Sequence, residues 1–176
     1  TALAFLLSRV TNAWYLLPFL FIAALLGYLI FNLKLHSSVT KIFMGDSGNM
    51  LIGLTLVWLM VIGIELDAPA LRPVTALYII AVPLMDMATV IMRRVKSGVS
   101  PFQADRQHLH HIFEAAGYSH RFSLIVISSG ASILALLGCL AEVYAVAEWI
   151  MLVSFLLFFM CYSAITKQVW KKLTKI

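Results

Sequence analysis

Residues Arg93–Arg121 read RRVKSGVSPFQADRQHLHHIFEAAGYSHR, the one long polar run in a chain that is otherwise apolar. The run holds four of the five histidines and five of the thirteen Lys and Arg residues. On both sides of it the sequence reads as membrane. A polar loop of this length between apolar spans is where a membrane protein can carry out aqueous chemistry.

Composition agrees with that reading. The chain is 62% hydrophobic and 12% charged over 176 residues, with a mean hydropathy of +0.95. A soluble domain is about 45–50% apolar and about 25% charged. A net charge of +5 would suggest nucleic acid in a soluble protein. Here the cations sit between and after apolar runs, so membrane topology accounts for them and no nucleic-acid partner is expected. Cys139 and Cys161 both lie inside apolar runs and read as small packing residues.

A helix of ~20 apolar residues crosses a bilayer. Working outward from the polar run, the expected spans are Ala13–Leu33, Met50–Leu66, Val74–Met92, Phe122–Val146 and Ala147–Ile165, the last two parted by a tight turn near Glu142–Glu148. The expected fold is therefore all-α, a polytopic integral membrane helix bundle of about five transmembrane helices. Alternate connections put Lys34–Asp46, Arg93–Arg121 and Lys167–Ile176 on one side, with eleven of the thirteen Lys and Arg residues. The positive-inside rule makes that side cytoplasmic. Glu142, Glu148 and the Lys-rich tail read as boundary charges, the tail against anionic headgroups.

Two stretches on the basic side can carry chemistry. In Lys41–Gly53, KIFMGDSGNMLIG, Gly45 and Gly48 permit turns and Asp46 and Ser47 suit a helix N-cap. Exposed N–H groups at a helix start favour anions, and a carboxylate there can hold Mg²⁺ that bridges a pyrophosphate. The same residues also read simply as a capped membrane helix. In RQHLHH, Arg106 precedes His108, His110 and His111. Three imidazoles within four positions can bind phosphate, act as acid or base, or ligate a metal. If the piece is helical, His108 and His111 share a face and His110 points elsewhere.

Asp86 is an ionisable residue inside an expected span, which costs ~2.5–3.5 kcal/mol on insertion scales. It should face a partner or cavity; the expected role is a structural bond holding the basic end of the span near Arg93 and Arg94. Pro83, one turn earlier, frees a backbone carbonyl.

With KIFMGDSG, PLMD…RR and SPFQADRQHLHHIFEAAGYS side by side, the chain resembles the polyprenyl-phosphate N-acetylhexosamine-1-phosphate transferases (glycosyltransferase family 4). The HLHH arrangement suits the branch that transfers N-acetylglucosamine-1-phosphate to undecaprenyl phosphate. The resemblance implies a Mg²⁺-dependent (or Mn²⁺-dependent) enzyme of the bacterial inner membrane with its active site facing the cytoplasm. It would move a sugar-1-phosphate from a UDP-sugar to a polyprenyl phosphate and release UMP, the first membrane step of cell-surface polysaccharide synthesis. Asp46 would be the metal-binding aspartate, with Ser47 and Gly48 beside it at the substrate, and Phe43 would stack on uracil. Arg106, His108, His110 and His111 would contact the sugar phosphate and pyrophosphate. A homodimer is compatible with this reading.

The family's paired-aspartate and Asn-rich DG motifs do not occur in this chain, so the expectation is the C-terminal half of one multi-span transferase domain. Asn49 stands where the family commonly has Ser or Thr. The alternative of another class is a non-catalytic membrane subunit or pseudo-enzyme whose basic loop binds a partner or anionic lipid. Another UDP-HexNAc donor is the alternative within the same reaction class. A transporter built on Asp86 would need a second intramembrane charge, and the spans supply none.

Overall fold

The computed structural model describes residues 16–33, 40, 42–65, 71–100 and 108–173. Among these residues every regular element is a helix: α1 Leu16–Asn32, α2 Asp46–Glu65, α3 Pro73–Ile79, α4 Ala81–Lys96, α5 Leu109–Ala115, α6 His120–Val143 and α7 Glu148–Leu173. The chain divides into two compact units, Thr1–Gly63 and Ile64–Ile176.

In the first unit α1 and α2 are apolar on nearly every face. Phe19 and Leu20 on α1, and Leu51, Leu54 and Trp58 on α2, are all exposed. Helices apolar all round suit lipid rather than water. The end of α1 is tied to the approach to α2, because Asn32 Nδ2 donates to the Ile42 carbonyl at 3.3 Å.

α2, α6 and α7 are long and apolar enough to cross a membrane, and α3 with α4 adds a fourth crossing if the bent pair is one span. α1 is apolar over its 17 described residues, fewer than those crossing helices have. The third span is not straight. α3 and α4 meet at an angle of 83°, and the break falls at Ile80, three residues before Pro83. Proline lacks the N–H that would bond the Ile79 carbonyl, and its ring crowds that carbonyl, so the axis turns there.

α3 packs on α6 and α7, which places Val74, Tyr78, Ala81, Met85, Met151 and Phe155 in one buried cluster. The approach is close because Gly138 on α6 has no side chain. A Cβ there would meet Tyr78 Cβ and lie 2.9 Å from its Cγ. Small residues at such contacts let membrane helices approach closely. The Tyr78 hydroxyl donates to the Met151 carbonyl at 2.9 Å, and its ring meets Phe155 edge-on at 5.5 Å.

Glu142 is more than a boundary charge. The Arg72 Nε donates to its Oε1 at 3.0 Å, the Arg72 N–H reaches its Oε2 at 3.3 Å, and the Thr75 hydroxyl donates to Oε2 as well. Arg72 also donates to the Val146 carbonyl at 2.7 Å, so one guanidinium ties the start of α3 to the α6–α7 turn. That turn closes with Ala145 in the left-handed region at φ 50. The expected Lys-rich tail differs too: Lys167, Lys171 and Lys172 belong to the last turns of α7, which runs 26 residues. At 1.5 Å per residue α7 is about 39 Å long, more than the ~30 Å hydrocarbon core. Its basic end therefore reaches past the apolar layer.

Candidate active site

His110 and His111 sit on α5, a seven-residue helix packed on α6 and α7, and His108 immediately precedes it. Both ends of α5 are fixed by identifiable bonds. At its end Gly117 takes φ 85, its N–H donates to Glu114 O at 2.9 Å, and Tyr118 N–H donates to Phe113 O at 3.0 Å. This is the Schellman closure, completed by the Phe113 and Tyr118 rings 5.9 Å apart. Ser119 then caps α6 by accepting from the Phe122 N–H at 3.2 Å.

At its start, α5 is capped from another helix. His108 precedes the first turn in an extended conformation, and its own side chain makes no cap. Asp86 of α4 supplies the acceptor instead: Oδ1 takes the Leu109 N–H at 3.1 Å, one of the donors a helix start leaves unpaired. Asp86 Oδ2 lies 2.9 Å from His108 Nδ1. Tyr162 of α7 donates its hydroxyl to Oδ1 at 2.9 Å. An ionised carboxylate only accepts, so this contact selects the His108 tautomer with its proton on Nδ1 and leaves Nε2 to other partners. The structural bond expected of Asp86 is present, and it runs to the histidine helix and to Tyr162.

Glu114 performs a similar task at the other end. Its Oε2 lies 3.0 Å from His111 Nδ1 and its Oε1 3.1 Å from His120 Nδ1. Those two hydrogen bonds, that of His111 first, hold the Glu114 carboxyl below the usual carboxylate range. His110 does not point elsewhere, as regular helical spacing suggested. Its ring centroid is 4.0 Å from that of His111 and 6.1 Å from that of His108. The spacing rule fails because His108 lies before the helix, where its backbone is extended. Desolvation, and then the adjacent His111, lower the His110 pKa from its ordinary value. Three neighbouring imidazoles therefore combine two held by carboxylates and one biased toward the neutral form.

In the first unit Asp46 is the first residue of α2. The first-turn cap is Gly45, not Asp46 or Ser47: its carbonyl accepts from Gly48 N–H at 3.0 Å and Asn49 N–H at 3.2 Å. The Asp46 carboxylate is exposed, at the positive end of the helix dipole. Ser47 is exposed beside it, Gly48 is half-buried under Met44, and Phe43 is 85% exposed. Arg106 lies outside the described residues. Among the described residues no group of three His, Cys, Asp or Glu side chains is arranged to hold a metal ion. One carboxylate does fit Mg²⁺, which keeps several waters and is commonly bound by one or two carboxylates together with substrate phosphates.

Comparison with known proteins bears on this arrangement. Residues 1–64 match the family Glycosyl transferase family 4. The family 4 match takes in Phe43, Asp46, Ser47 and Gly48. Over 154 residues the chain is similar to undecaprenyl-phosphate alpha-N-acetylglucosaminyl 1-phosphate transferases. Identity is 45% with that of Escherichia coli O157:H7 and 46% with that of Salmonella typhi, covering 87% of this chain and 42% of each relative. With the Pasteurella multocida protein it is 39%, over 43% of that relative. The chain thus spans less than half the length of these relatives. No solved structure matches it significantly.

The sequence singled out the three histidines and Asp46 as candidates, but it did not point to Tyr162, to Glu114 or to the bond from Asp86 to His108. The signal for Asp86 was present: a carboxylate inside a span must find donors. Nothing in the sequence says which.

Proposed function

We propose that this chain is part of an enzyme that transfers N-acetylglucosamine-1-phosphate from UDP-N-acetylglucosamine to undecaprenyl phosphate. The products are undecaprenyl-pyrophosphoryl-N-acetylglucosamine and UMP, and the glycolipid opens cell-surface polysaccharide synthesis. The observation that carries this reading is the carboxylate-held imidazole group of α5, in a membrane helix bundle whose sequence is similar to transferases of that name.

The chemistry follows from charge. Phosphoryl transfer asks for positioning and for stabilisation of negative charge on the phosphoryl oxygens. His108 is oriented by Asp86, so its Nε2 meets substrate oxygens without first reorganising. His111 is held by Glu114 in the same manner. His110, biased toward neutrality, offers a lone pair or an N–H beside them. Arg106 would add a fixed positive charge. Phe43, with its exposed ring, would stack on the uracil. Asp46 would hold Mg²⁺ or Mn²⁺ with Ser47 and Gly48 beside it, and the bound ion would neutralise pyrophosphate charge. An apolar cavity of about 350 Å³ between α5 and α7, lined by Ile112, Phe113, Ile165 and Val169 among others, offers surface for an isoprenoid.

The excess of Lys and Arg in the loops on one side supports a cytoplasmic active site at the bacterial inner membrane. The test is UMP release from UDP-N-acetylglucosamine plus undecaprenyl phosphate by the intact protein. Asp46→Asn and His108→Gln are each expected to lower the rate at least a hundredfold, in line with loss of a positioned catalytic group. Wild-type rates in both variants would refute the assignment.

A further inference from the structure

A second polar cleft lies between α4 and α7, and it shares no lining residue with the imidazole group. Its volume is about 240 Å³, and Thr89, Arg93, Lys96, Ser97, Ser163 and Lys167 line it. Three cations and three hydroxyls line it, and no carboxylate does among the described residues.

Thr89 is the informative member. It is 8% exposed, and its Oγ1 is buried without a hydrogen-bond partner. Other hydroxyls bond back to the preceding turn: on α7 Thr166 to Tyr162 O and Ser154 to Ile150 O, each at 2.9 Å, and on α6 Ser123 to Ser119 O at 3.1 Å. A buried hydroxyl left unpaired costs ~1–3 kcal/mol, so an acceptor from outside the chain would relieve it.

The position of the cleft selects the kind of acceptor. Arg93 and Lys96 lie in the last turns of α4, and Lys167 lies where α7 leaves its apolar stretch. Met87 on α4 and Ile165 on α7 are 59% and 61% exposed nearby. A cationic cleft at the edge of exposed apolar helix surface matches a molecule with a phosphate head and hydrocarbon tails. Basic pockets between membrane helices hold lipid headgroups in this manner.

We propose that this cleft binds the phosphodiester headgroup of an anionic membrane phospholipid, at a site separate from that of the acceptor lipid. The lysines and Arg93 would neutralise the phosphate, while Ser97, Ser163 and the Thr89 hydroxyl would donate to its oxygens.

The experiment places the intact protein in phosphatidylcholine nanodiscs and titrates phosphatidylglycerol, with bound lipid counted by native mass spectrometry. Each basic residue near a membrane surface contributes ~1 kcal/mol, about fivefold in affinity. Lys96→Gln with Lys167→Gln should therefore weaken phosphatidylglycerol binding about thirtyfold, and Lys96→Gln alone about fivefold if the double variant does not fold. Thr89→Val should weaken it severalfold while raising the unfolding temperature of the lipid-free protein. Equal binding by wild type and variants would overturn the proposal. Displacement of the lipid by an equal concentration of inorganic phosphate would overturn the lipid source. Displacement by equimolar undecaprenyl phosphate would overturn the separateness of the site.

Discussion

Asp86 on α4 and the His108 that precedes α5 are joined by a 2.9 Å bond between Oδ2 and Nδ1, across 22 positions of chain. Through the same carboxylate Asp86 caps α5 and receives the Tyr162 hydroxyl. One side chain thus sets both the tautomer of an imidazole and the start of the helix that carries two more.

Asp86→Asn separates these tasks. An amide can still accept the Leu109 N–H, but it no longer demands a proton on His108 Nδ1. Loss of such a supporting partner costs about 10–100-fold where it has been measured around metal-bound histidines. A fall of that size is expected in kcat with KM little changed, together with a displaced pH profile. Tyr162→Phe, which leaves the His108 bond in place, should cost less than tenfold. Steady-state kinetics across pH distinguishes positioning from a general loss of fold, which would lower active enzyme without moving the profile.

Acid should loosen the α5 region in two stages. His110 is held below its ordinary value of 6.5. The unfolded chain therefore takes up that proton first, and stability declines as pH falls below that value. Glu114 is held below its ordinary 4.5, so the stability it lends is full above that value and disappears as pH falls through the folded-state pKa. Unfolding temperature measured from pH 8 to pH 4 should decline on acidification. His110→Gln should flatten the first part of that decline and Glu114→Gln the second.

Gly138→Ala is expected to destabilise the second unit. The added methyl would strike Tyr78, whose ring and hydroxyl are fixed by Phe155 and Met151. Overpacking of this kind costs about 1–3 kcal/mol. Thermal unfolding in detergent should show a lower midpoint, and Gly138→Ala combined with Tyr78→Ala should recover part of the methyl's effect relative to Tyr78→Ala alone.

Ala145→Gly should act in the opposite direction. Ala145 closes α6 at φ 50, where its Cβ is crowded and glycine is not. The gain, offset in part by the freer unfolded chain, should be about 0.5–1 kcal/mol. The same unfolding measurement reads it as a raised midpoint.

Helix content and the division into spans were legible in the sequence, because lipid demands apolar runs that hydropathy reveals directly. Pro83 marked the third span for a break, yet the size of the bend depends on where α3 finds packing, against Gly138 and Phe155. The clamp of Arg72, Thr75 and Glu142 was hidden for a related reason. Glu142 reads as a boundary charge until the helix ends bring Arg72, 70 positions away in the chain, beside it. Residue types singled out Asp46 and the imidazoles as candidates, whereas the bonds that orient His108 and His111 depend on side chains from other helices or other turns.

The bonds made by Asp86 also impose an order on biogenesis. Its described partners, His108, Leu109 and Tyr162, all follow it in the chain, the last by 76 positions. Synthesis runs from the N-terminus, so α4 is made with its carboxylate before any of these donors exists. The insertion cost of Asp86 is borne first and relieved last, when α7 arrives. A ribosome that stops before Tyr162 leaves the histidine helix without its full anchor, so the imidazole group matures only as the final helix of the described chain is laid down.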